Sequence, residues 1–365
     1  MKKTLIGTGL AAALVLAGCA QPPAATPETT AGGTSSPAAG ASEFQACMVS
    51  DEGGFDDRSF NETSYKGMMD AVESLGIQYR ELQSDTVSDY AGNVQRMVDA
   101  GCNIIVTVGF ALGDATLASA EANPDIDYAI VDFSYTDDSG ANVAPDNVRG
   151  LTFNTAQPSF LAGYLAASIS ESGVVGTYGG APYPTVTIFM DGYAQGVEHY
   201  NSVKGADVRV VGYDRATGNG SFIPNNSFSD VAGAKQIATS LVAQGADVIL
   251  PVAGPASEGG LQVAQESNGQ VSSMWVDSDG FVQMPQYGAV IPTSVGKAMD
   301  VAVEEAITAS LNDEFSNDIY VGTFDNEGVY LAPFHDFDSK ISAETKAEID
   351  QLKADIISGA VTVES

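Results

Sequence analysis

Residues 49–68 read VSDEGGFDDRSFNETSYKGM, and this stretch decides the fold class. An apolar strand ends at its start, Gly53 and Gly54 permit a tight turn, and Phe60 and Asn61 open a helix. In open α/β sheets, the turn between the first strand and its helix faces the ligand. The stretch therefore predicts a protein that binds a small molecule rather than a polymer.

Short apolar runs alternate with amphipathic stretches around this segment. The first series has strands over residues 45–49, 77–81, 103–108 and 128–131, with helices near 65–74, 88–100 and 113–121. Such an alternation predicts a mainly parallel sheet with helices on both faces.

A second series of the same kind follows. Its helices lie over 158–170, 185–201, 230–244 and 257–266, and its strands over 174–178, 208–213, 247–251 and 273–277. A strand at 289–292, a helix over 296–311, a β-ribbon around 319–330 and a helix near 343–357 complete the chain. Two sheets in tandem place the carboxyl ends of their strands across a cleft, so the pattern predicts a hinged binding protein.

The N-terminus has the features of an export signal over residues 1–18. Lys2 and Lys3 precede an apolar run over 5–17, which is shorter than the roughly 20 residues that a membrane span needs. The run closes on LAGC, which resembles the lipobox of bacterial lipoproteins. In that family the cysteine is lipidated, with palmitate among the lipids, and becomes the new N-terminus. The resemblance implies that Cys19 anchors the protein to the extracytoplasmic face of the cell membrane.

Residues 19–43 are rich in Ala, Pro, Thr, Ser and Gly, and they predict a disordered tether because they offer little apolar surface to bury. The remaining chain, about 320 residues, exceeds the usual size of one hydrophobic core. We expect an N-terminal lobe of residues 44–154 and about 289–322. The C-terminal lobe would then comprise about 155–288 and 323–365.

The composition is strongly acidic. Lys2 and Lys3 leave with the signal, so 13 basic residues remain against 47 acidic ones, a formal charge of −34. Nucleic acid is not expected as a partner because its binding needs basic patches. A well-solvated surface and adaptation to salt both fit this acidity. With His199 and His335 as the two histidines of the sequence, we expect no metal site and no cofactor.

Cys47 and Cys102 each lie at or near the start of a predicted strand. Outside the cytoplasm they fit a disulfide, and they fit two buried free thiols equally well. The sequence does not give the Cα separation that would decide between them.

Phe60 and Asn61 suit the recognition of a heteroaromatic ring. An aromatic side chain stacks on the ring face, and an amide both donates to the ring edge and accepts from it. Phe60 also fits a hydrophobic staple at a helix start, and the residues alone leave both interpretations open.

The segment resembles the signature of the basic membrane protein family of bacterial lipoproteins, also called the purine nucleoside receptor A group, whose members are substrate-binding subunits of nucleoside ABC transporters. Further matching stretches follow in order over residues 129–132, 160–167, 179–192, 227–238, 245–249, 253–254, 276–277 and 293–297. The similarity spans roughly residues 46–303. It implies a type I periplasmic-binding-protein fold, α/β, with two doubly wound parallel-sheet lobes and a ligand cleft between them.

The resemblance also implies a binding site for the base of a nucleoside. Asp51 and Asn61 would hydrogen-bond the base edge, while Phe60 stacks on one face. Asp132, at the end of the fourth strand, would face the base side, and Phe189 would supply the opposing aromatic ring.

The same resemblance implies a site for the sugar. Gly254 would offer its backbone to the ribose, while Asp277 and Lys297 would bind the ribose hydroxyls. The residues by themselves also allow ordinary roles, since Asp132 and Asp277 end strands where carboxylates often cap the next element. Lys297 would then be a solvated helix residue.

Two stretches depart from the family pattern. Residues 181–183 read APY where a Met-Asp-Ile type sequence is more usual, and residues 215–226 look like an insertion. Both adjoin the predicted cleft, so they bear on ligand preference.

Catalysis and calcium binding find weak support in the sequence. Residues 294–297 form an S-x-x-K tetrad, but no Ser-Asp-Asn or Lys-Thr-Gly follows it, so we expect no catalytic residue and no enzyme. The acidic residues over 277–280 and 51–57 do not continue into the spaced loop that binds calcium.

The sequence thus predicts a lipid-anchored protein that captures a nucleoside, with purine favoured, and delivers it to ABC transporter permease subunits. A receptor of the same fold that senses a ligand and signals to a membrane partner is the alternative. A permease and an ATPase encoded beside the chain would distinguish the two.

Overall fold

The computed structural model of the protein describes residues 43–364. The predicted signal over 1–18, the lipidation site Cys19 and all but the last residue of the tether over 19–43 lie outside these residues. Within the described range, no helix combines the length and the apolar character that a membrane crossing requires.

The first half of the described chain alternates strands and helices. Its strands are β1 (Gln45–Ser50), β2 (Gln78–Leu82), β3 (Ile104–Val108), β4 (Asp127–Val131) and β5 (Val148–Phe153), and its helices are α1 (Phe60–Leu75), α2 (Tyr90–Asp99) and α3 (Gly113–Ala122). Strands β1 and β3 are buried along their whole length, as expected for parallel strands covered by helices on both faces.

The second half repeats the alternation. Its elements are α4 (Ala156–Ile169), β6 (Val174–Gly179), α5 (Pro184–Lys204), β7 (Arg209–Val211), β8 (Tyr213–Asp214), β9 (Asn219–Gly220), α6 (Val231–Ala243), β10 (Val248–Val252), α7 (Glu258–Glu266), β11 (Ser272–Ser273), β12 (Trp275–Asp277) and α8 (Gly280–Gln283). The tail adds β13 (Ser294–Lys297), α9 (Met299–Leu311), β14 (Tyr320–Gly322), β15 (Val329–Leu331) and α10 (Ala343–Ser358).

Two parallel sheets confirm the predicted α/β class. The larger has the order β2-β1-β3-β4-β5-β14, and the smaller has the order β7-β6-β10-β11. All their strand pairs are parallel. Within each sheet the carboxyl ends of the strands therefore share one edge, where ligand-facing loops are expected.

A third, mixed sheet corrects the expected order of the tail. Strand β13 pairs in parallel with β12 and antiparallel with β15. The predicted strand at 289–292 is wrong, because Pro285–Val290 forms a 3₁₀ turn. Residues predicted to begin the helix over 296–311 belong to β13 instead, and the helix starts at Met299.

The β-ribbon expected around 319–330 is also wrong. Strand β14 pairs with β5 and strand β15 with β13, so the two segments enter different sheets. Strand β5 itself escaped prediction because Arg149 and Gly150 interrupt its apolar run.

Helix packing follows the sequence pattern closely. Helix α1 buries one stripe that includes Gly67, Met68 and Ala71, and it ends at Gly76 in the left-handed conformation, φ 69°. Helices α4 and α5 pack tightly: a Cβ at Gly163 would overlap the backbone carbonyl of Tyr193.

Cys47 and Cys102 form a disulfide whose Cα atoms are 6.0 Å apart. Cys47 lies in β1 and Cys102 lies just before β3, two strands that pair directly. This Cα separation lies within the range that a disulfide needs, so the structure supplies the distance that the sequence left open.

Candidate functional site

A cleft lies at the carboxyl ends of strands from the three larger sheets of the described chain. It encloses about 180 Å³, roughly ten times the space that a single water molecule needs. All eight residues predicted to bind ligand line it, namely Asp51, Phe60, Asn61, Asp132, Phe189, Gly254, Asp277 and Lys297. The structure thus brings the whole predicted set together, and the binding role of each residue stays a prediction.

Asp51 and Asn61 form one end of the cleft. Asp51 follows β1 directly, Asn61 lies in the first turn of α1, and Asn61 Nδ2 donates to Asp51 Oδ1 at 2.9 Å. Burial raises the pKa of Asp51 to about 8, although the hydrogen bond from Asn61 opposes the shift. At neutral pH the Asp51 carboxyl group is therefore mostly protonated and able to donate a hydrogen bond.

Asp57 lies beneath this end and fixes the start of α1. Its carboxylate accepts from the backbone N–H groups of Ser59, Asn61 and Glu62 at 2.9, 2.9 and 3.0 Å. Asn61 Nδ2 donates to the same carboxylate at 3.2 Å. The Asp57 carboxylate thereby supplies acceptors for backbone N–H groups that a helix start leaves unpaired, so Asp57 anchors the turn that presents Phe60 and Asn61.

A second polar group in the cleft is built around Lys297. Its ammonium Nζ lies 2.5 Å from Asp132 Oδ2 and 3.2 Å from Asp277 Oδ1. Ser59 Oγ donates to the second oxygen of Asp277 at 3.0 Å. Burial opposes the charge on Lys297, but the two carboxylates outweigh it and raise the lysine pKa. The ammonium therefore stays charged at neutral pH.

The two aspartates of this group adopt an uncommon backbone conformation. Asp132 has φ 62° and Asp277 has φ 71°, both in the left-handed region that residues other than glycine rarely occupy. Asp132 directly follows β4, and Asp277 is the last residue of β12. Such strain, about 1 kcal/mol per residue, is typical of functional sites and accompanies the contact of both carboxylates with one ammonium.

Aromatic rings flank the same ammonium. Lys297 Nζ lies 5.1 Å from the centroids of the Phe60 and Phe189 rings, so cation–π attraction adds to the ion pairs. Phe60 is half-buried at the helix start, whereas Phe189 is buried within α5.

Gly254 lies on the wall that the smaller sheet contributes. It follows β10, has φ 50°, and a Cβ built on it would meet nothing within 4 Å. Its backbone is therefore accessible from the cleft.

Several further residues line the cleft beside the eight predicted to bind ligand, and two of them, Tyr183 and Asn226, belong to the stretches that were expected to adjoin it. They are Glu52, Asp57, Val87, Tyr90, Phe110, Ala111, Tyr183, Thr185, Val186, Asn226, Phe228, Ser229, Val252, Pro255 and Val276. Phe228 could have been predicted from the sequence, because residues 227–229 read SFS before a helix, much as residues 59–61 read SFN. The Phe110 and Tyr183 rings pack together with their centroids 4.5 Å apart.

Both departures from the family pattern reach the cleft. Tyr183 caps the N-terminus of α5, and Asn226 ends a 3₁₀ turn over Pro224–Asn226. The predicted insertion over 215–226 forms this turn and the hairpin strand β9. Each of the two departing stretches therefore contributes a residue to the lining of the cleft.

Charge at the cleft is unbalanced. Of the described residues that line it, five carry carboxyl groups and Lys297 is the one basic side chain. The described part of the chain holds no group of His, Cys, Asp and Glu suited to a metal ion. The cleft therefore suits a ligand rich in hydrogen-bond donors and without net negative charge.

Known proteins resemble the chain over its described length. Basic membrane protein A1 of Borrelia garinii subsp. bavariensis is 30% identical over 331 residues, which cover 88% of this chain and 89% of that protein. The ABC transporter nucleoside-binding protein BmpA of Lactococcus lactis subsp. cremoris is 28% identical, with 100% of each chain covered.

Solved structures share the fold at lower identity. A solute-binding protein of an ABC transporter system from Aeropyrum pernix K1 superposes with a TM-score of 0.75 at 23% identity, covering 87% of this chain and 92% of that one. An ABC transporter periplasmic solute-binding protein from Actinobacillus succinogenes, solved with D-allose, superposes with a TM-score of 0.62 at 14% identity. The match covers 81% of this chain and 99% of that one. These likenesses confirm the periplasmic-binding-protein fold with two lobes.

The family model described as Bmp, ABC transporter substrate-binding protein PnrA-like, matches residues 44–365. This chain belongs to the Bmp family of ABC transporter substrate-binding proteins.

Proposed function

We propose that this protein captures a nucleoside, a purine nucleoside in preference to a pyrimidine one, and delivers it to the permease subunits of an ABC transporter. The observation that carries the proposal is the buried group of Asp132, Lys297 and Asp277 at one end of a cleft that also contains aromatic rings. The name of the Lactococcus lactis relative, an ABC transporter nucleoside-binding protein, supports the same ligand class.

The charged end fits a ribose. Carboxylates only accept hydrogen bonds and an ammonium only donates them, so the three side chains together complement a diol, whose hydroxyls do both. Asp132 contacts Lys297 directly, so we assign it to the sugar rather than to the base. Gly254 adds accessible backbone on the wall of the smaller sheet.

The part of the cleft beside this charged group fits a heteroaromatic base. Phe60 borders the cleft at the start of α1 and presents a ring on which a planar base can stack. Phe189 and Phe228 are the candidates for the opposite face. Asp51 and Asn61 offer polar groups to the base edge, and stacking plus edge contacts account for a preference for the larger purine ring.

Closure of the two lobes would enclose the ligand. We propose the lobes as residues 44–154 with about 289–322, and about 155–288 with 323–365. The pairing of β14 with β5 supports the assignment of the segment up to residue 322 to the first lobe. No step of this mechanism changes the ligand chemically.

We also propose that the protein is exported and anchored through lipid on Cys19, with residues 19–43 as the tether. A disulfide between Cys47 and Cys102 supports an oxidising compartment outside the cytoplasm. Mass spectrometry of the membrane fraction, with Cys19→Ala as the control, tests the anchor; an unlipidated N-terminus in both samples would contradict it.

Isothermal titration with adenosine, guanosine, inosine, cytidine and uridine tests the ligand class. We expect purine nucleosides to bind more tightly than the two pyrimidine ones, and Phe60→Ala and Asp277→Ala to weaken binding by about tenfold or more. If none of the five nucleosides binds, the nucleoside proposal is overturned. Unchanged affinity in both variants would overturn the assignment of these residues to the binding site.

A further inference from the structure

The Asn61 side-chain amide can point in one direction only. Its Nδ2 atom lies 2.9 Å from Asp51 Oδ1 and 3.2 Å from Asp57 Oδ2. An ionised carboxylate accepts hydrogen bonds and never donates them. The nitrogen, which carries both hydrogens of the amide, must therefore lie between the two acids, and the carbonyl oxygen must point elsewhere.

Asp57 is the residue that compels this orientation. Asp51 is mostly protonated at neutral pH, so it would tolerate either face of the amide. Asp57 would not, because each of its oxygens already accepts a backbone N–H: Oδ1 from Ser59 and Glu62, and Oδ2 from Asn61. Burial raises the pKa of Asp57, while the backbone N–H groups of Glu62, Asn61 and Ser59 oppose that shift. Because four donors point at its two oxygens, a proton on either oxygen would displace a donor, so the Asp57 side chain acts as an acceptor toward Asn61.

The orientation leaves one group without a partner. Asn61 Oδ1 is buried and accepts no hydrogen bond from any described residue. Asn61 itself is 2% exposed and belongs to the cleft wall. A buried acceptor without a donor is unfavourable, so a ligand that brings an N–H to this wall gains free energy that other ligands do not.

We propose that Asp57 is a positioning residue that holds the Asn61 amide with its carbonyl oxygen free, so that the cleft prefers purines carrying an N–H on the base edge. The inference rests on the proposed function and deepens it, because it selects among purine nucleosides. Hypoxanthine and guanine bases carry a ring N–H on that edge, whereas unsubstituted purine carries none.

Inosine and purine riboside form the decisive pair of ligands. They share the sugar and the fused ring, and they differ at the edge, where purine riboside has no N–H. A site with an unpaired acceptor discriminates against a ligand that lacks the donor, so we expect inosine to bind the wild-type protein at least about tenfold more tightly.

Asp57→Asn tests the role of Asp57. The substituted amide retains one oxygen for the backbone N–H groups of Ser59 and Glu62, loses the acceptor of the Asn61 backbone N–H, and presents an –NH₂ toward the Asn61 side chain. That side chain then turns its own oxygen inward and its nitrogen outward. The tenfold preference for inosine should fall to about one or reverse, because the outward nitrogen now donates to the ring nitrogen of purine riboside. Asp56→Asn is the matched control: Asp56 is the exposed neighbour, loses the same charge, and should leave the ratio unchanged.

The ratio of the two affinities separates positioning from general damage. A merely structural role for Asp57 would weaken both ligands equally and preserve the ratio, and that result would overturn the proposal. If Asp57→Asn fails to fold by circular dichroism, Asp57→Ser, which retains a capping oxygen without fixing the amide, provides the same readout.

The outcomes also separate this inference from the proposed function. If the wild-type protein binds neither ligand nor any other nucleoside, the proposed function fails and the inference with it. If nucleosides bind but inosine and purine riboside bind equally, the proposed function stands and the inference alone is overturned.

Discussion

Lys297 is the residue on which the charged end of the cleft depends. It is 3% exposed, and two carboxylates and two aromatic rings surround its ammonium group. A buried ion pair is stable only while both signs are present, because removal of one partner leaves an uncompensated buried charge. The same residue should therefore matter for both ligand binding and stability.

Replacement of Lys297 by Met tests this dependence. We expect Lys297→Met to lower the free energy of unfolding by about 3–5 kcal/mol and to abolish measurable nucleoside binding, since Asp132 and Asp277 are left facing each other. Lys235→Met is the control: its ion pair with Glu266 lies at the surface, so the change should stay within about 0.5 kcal/mol. Urea unfolding and calorimetry provide the measurements, and equal effects of the two substitutions would contradict the expectation.

Asp51 should make stability depend on pH in a defined direction. Burial raises its pKa from 3.8 to about 8, so between these values the folded protein keeps a proton that the unfolded chain has released. The free energy of unfolding then falls as pH rises, by up to about 1.4 kcal/mol per pH unit, and this loss ends above pH 8. Asp51→Asn removes the titration, so its stability relative to wild type should rise from pH 5 to pH 8. A pH-independent difference in ligand-free urea unfolding would contradict this.

The sequence indicated the positions of the site residues but not their partners. Aspartates directly after strands, such as Asp51 and Asp132, are visible because parallel strands end at a shared edge. The contact between Asp132 and Lys297 joins residues 165 positions apart and depends on two different sheets, so no local pattern reveals it. Asp57 looked like part of a solvated acidic turn because its hydrogen bonds require the folded turn.

Strands could be predicted from the sequence where a buried strand appears as an uninterrupted run of apolar residues. Strands β1, β3, β6 and β10 are short apolar runs between helices, and their positions follow from the sequence. Strand β13 was missed because it has four residues, one of them a buried lysine. Its burial depends on the carboxylates around Lys297, a tertiary effect that overrides local propensity.

The α4–α5 pair offers a direct test of packing between elements. A Cβ at Gly163 would overlap the Tyr193 carbonyl, so Gly163→Ala should lower the free energy of unfolding by about 1–3 kcal/mol. Gly92→Ala is the matched control, because Gly92 lies in α2 with nothing within 4 Å of its added Cβ, and alanine should stabilise that helix by up to about 1 kcal/mol. Chemical denaturation of both variants is the measurement; destabilisation of similar size in both would show that the close approach is unimportant.

At the scale of the whole molecule, the cleft is closed by side chains from both parallel sheets. Phe110 follows β3 of the larger sheet, and Tyr183 follows β6 of the smaller one. Their rings pack at a centroid distance of 4.5 Å while both line the cleft. In the proposed mechanism an opening of the cleft separates the two sheets, so this ring contact would break before a ligand leaves.

Tyr183→Ala should therefore act on ligand release more than on ligand capture. An aromatic pair contributes about 0.5–1.5 kcal/mol beyond the area it buries, so we expect the dissociation rate of a purine nucleoside to rise about two- to tenfold while the association rate stays nearly constant. Stopped-flow fluorescence measures both rates. Tyr79→Ala, which removes a 41% exposed tyrosine of β2, should change neither rate. In the proposed mechanism the ring contact holds the lobes closed over the bound ligand. An effect of Tyr183→Ala confined to the association rate would contradict this role and show that the pair controls ligand entry instead.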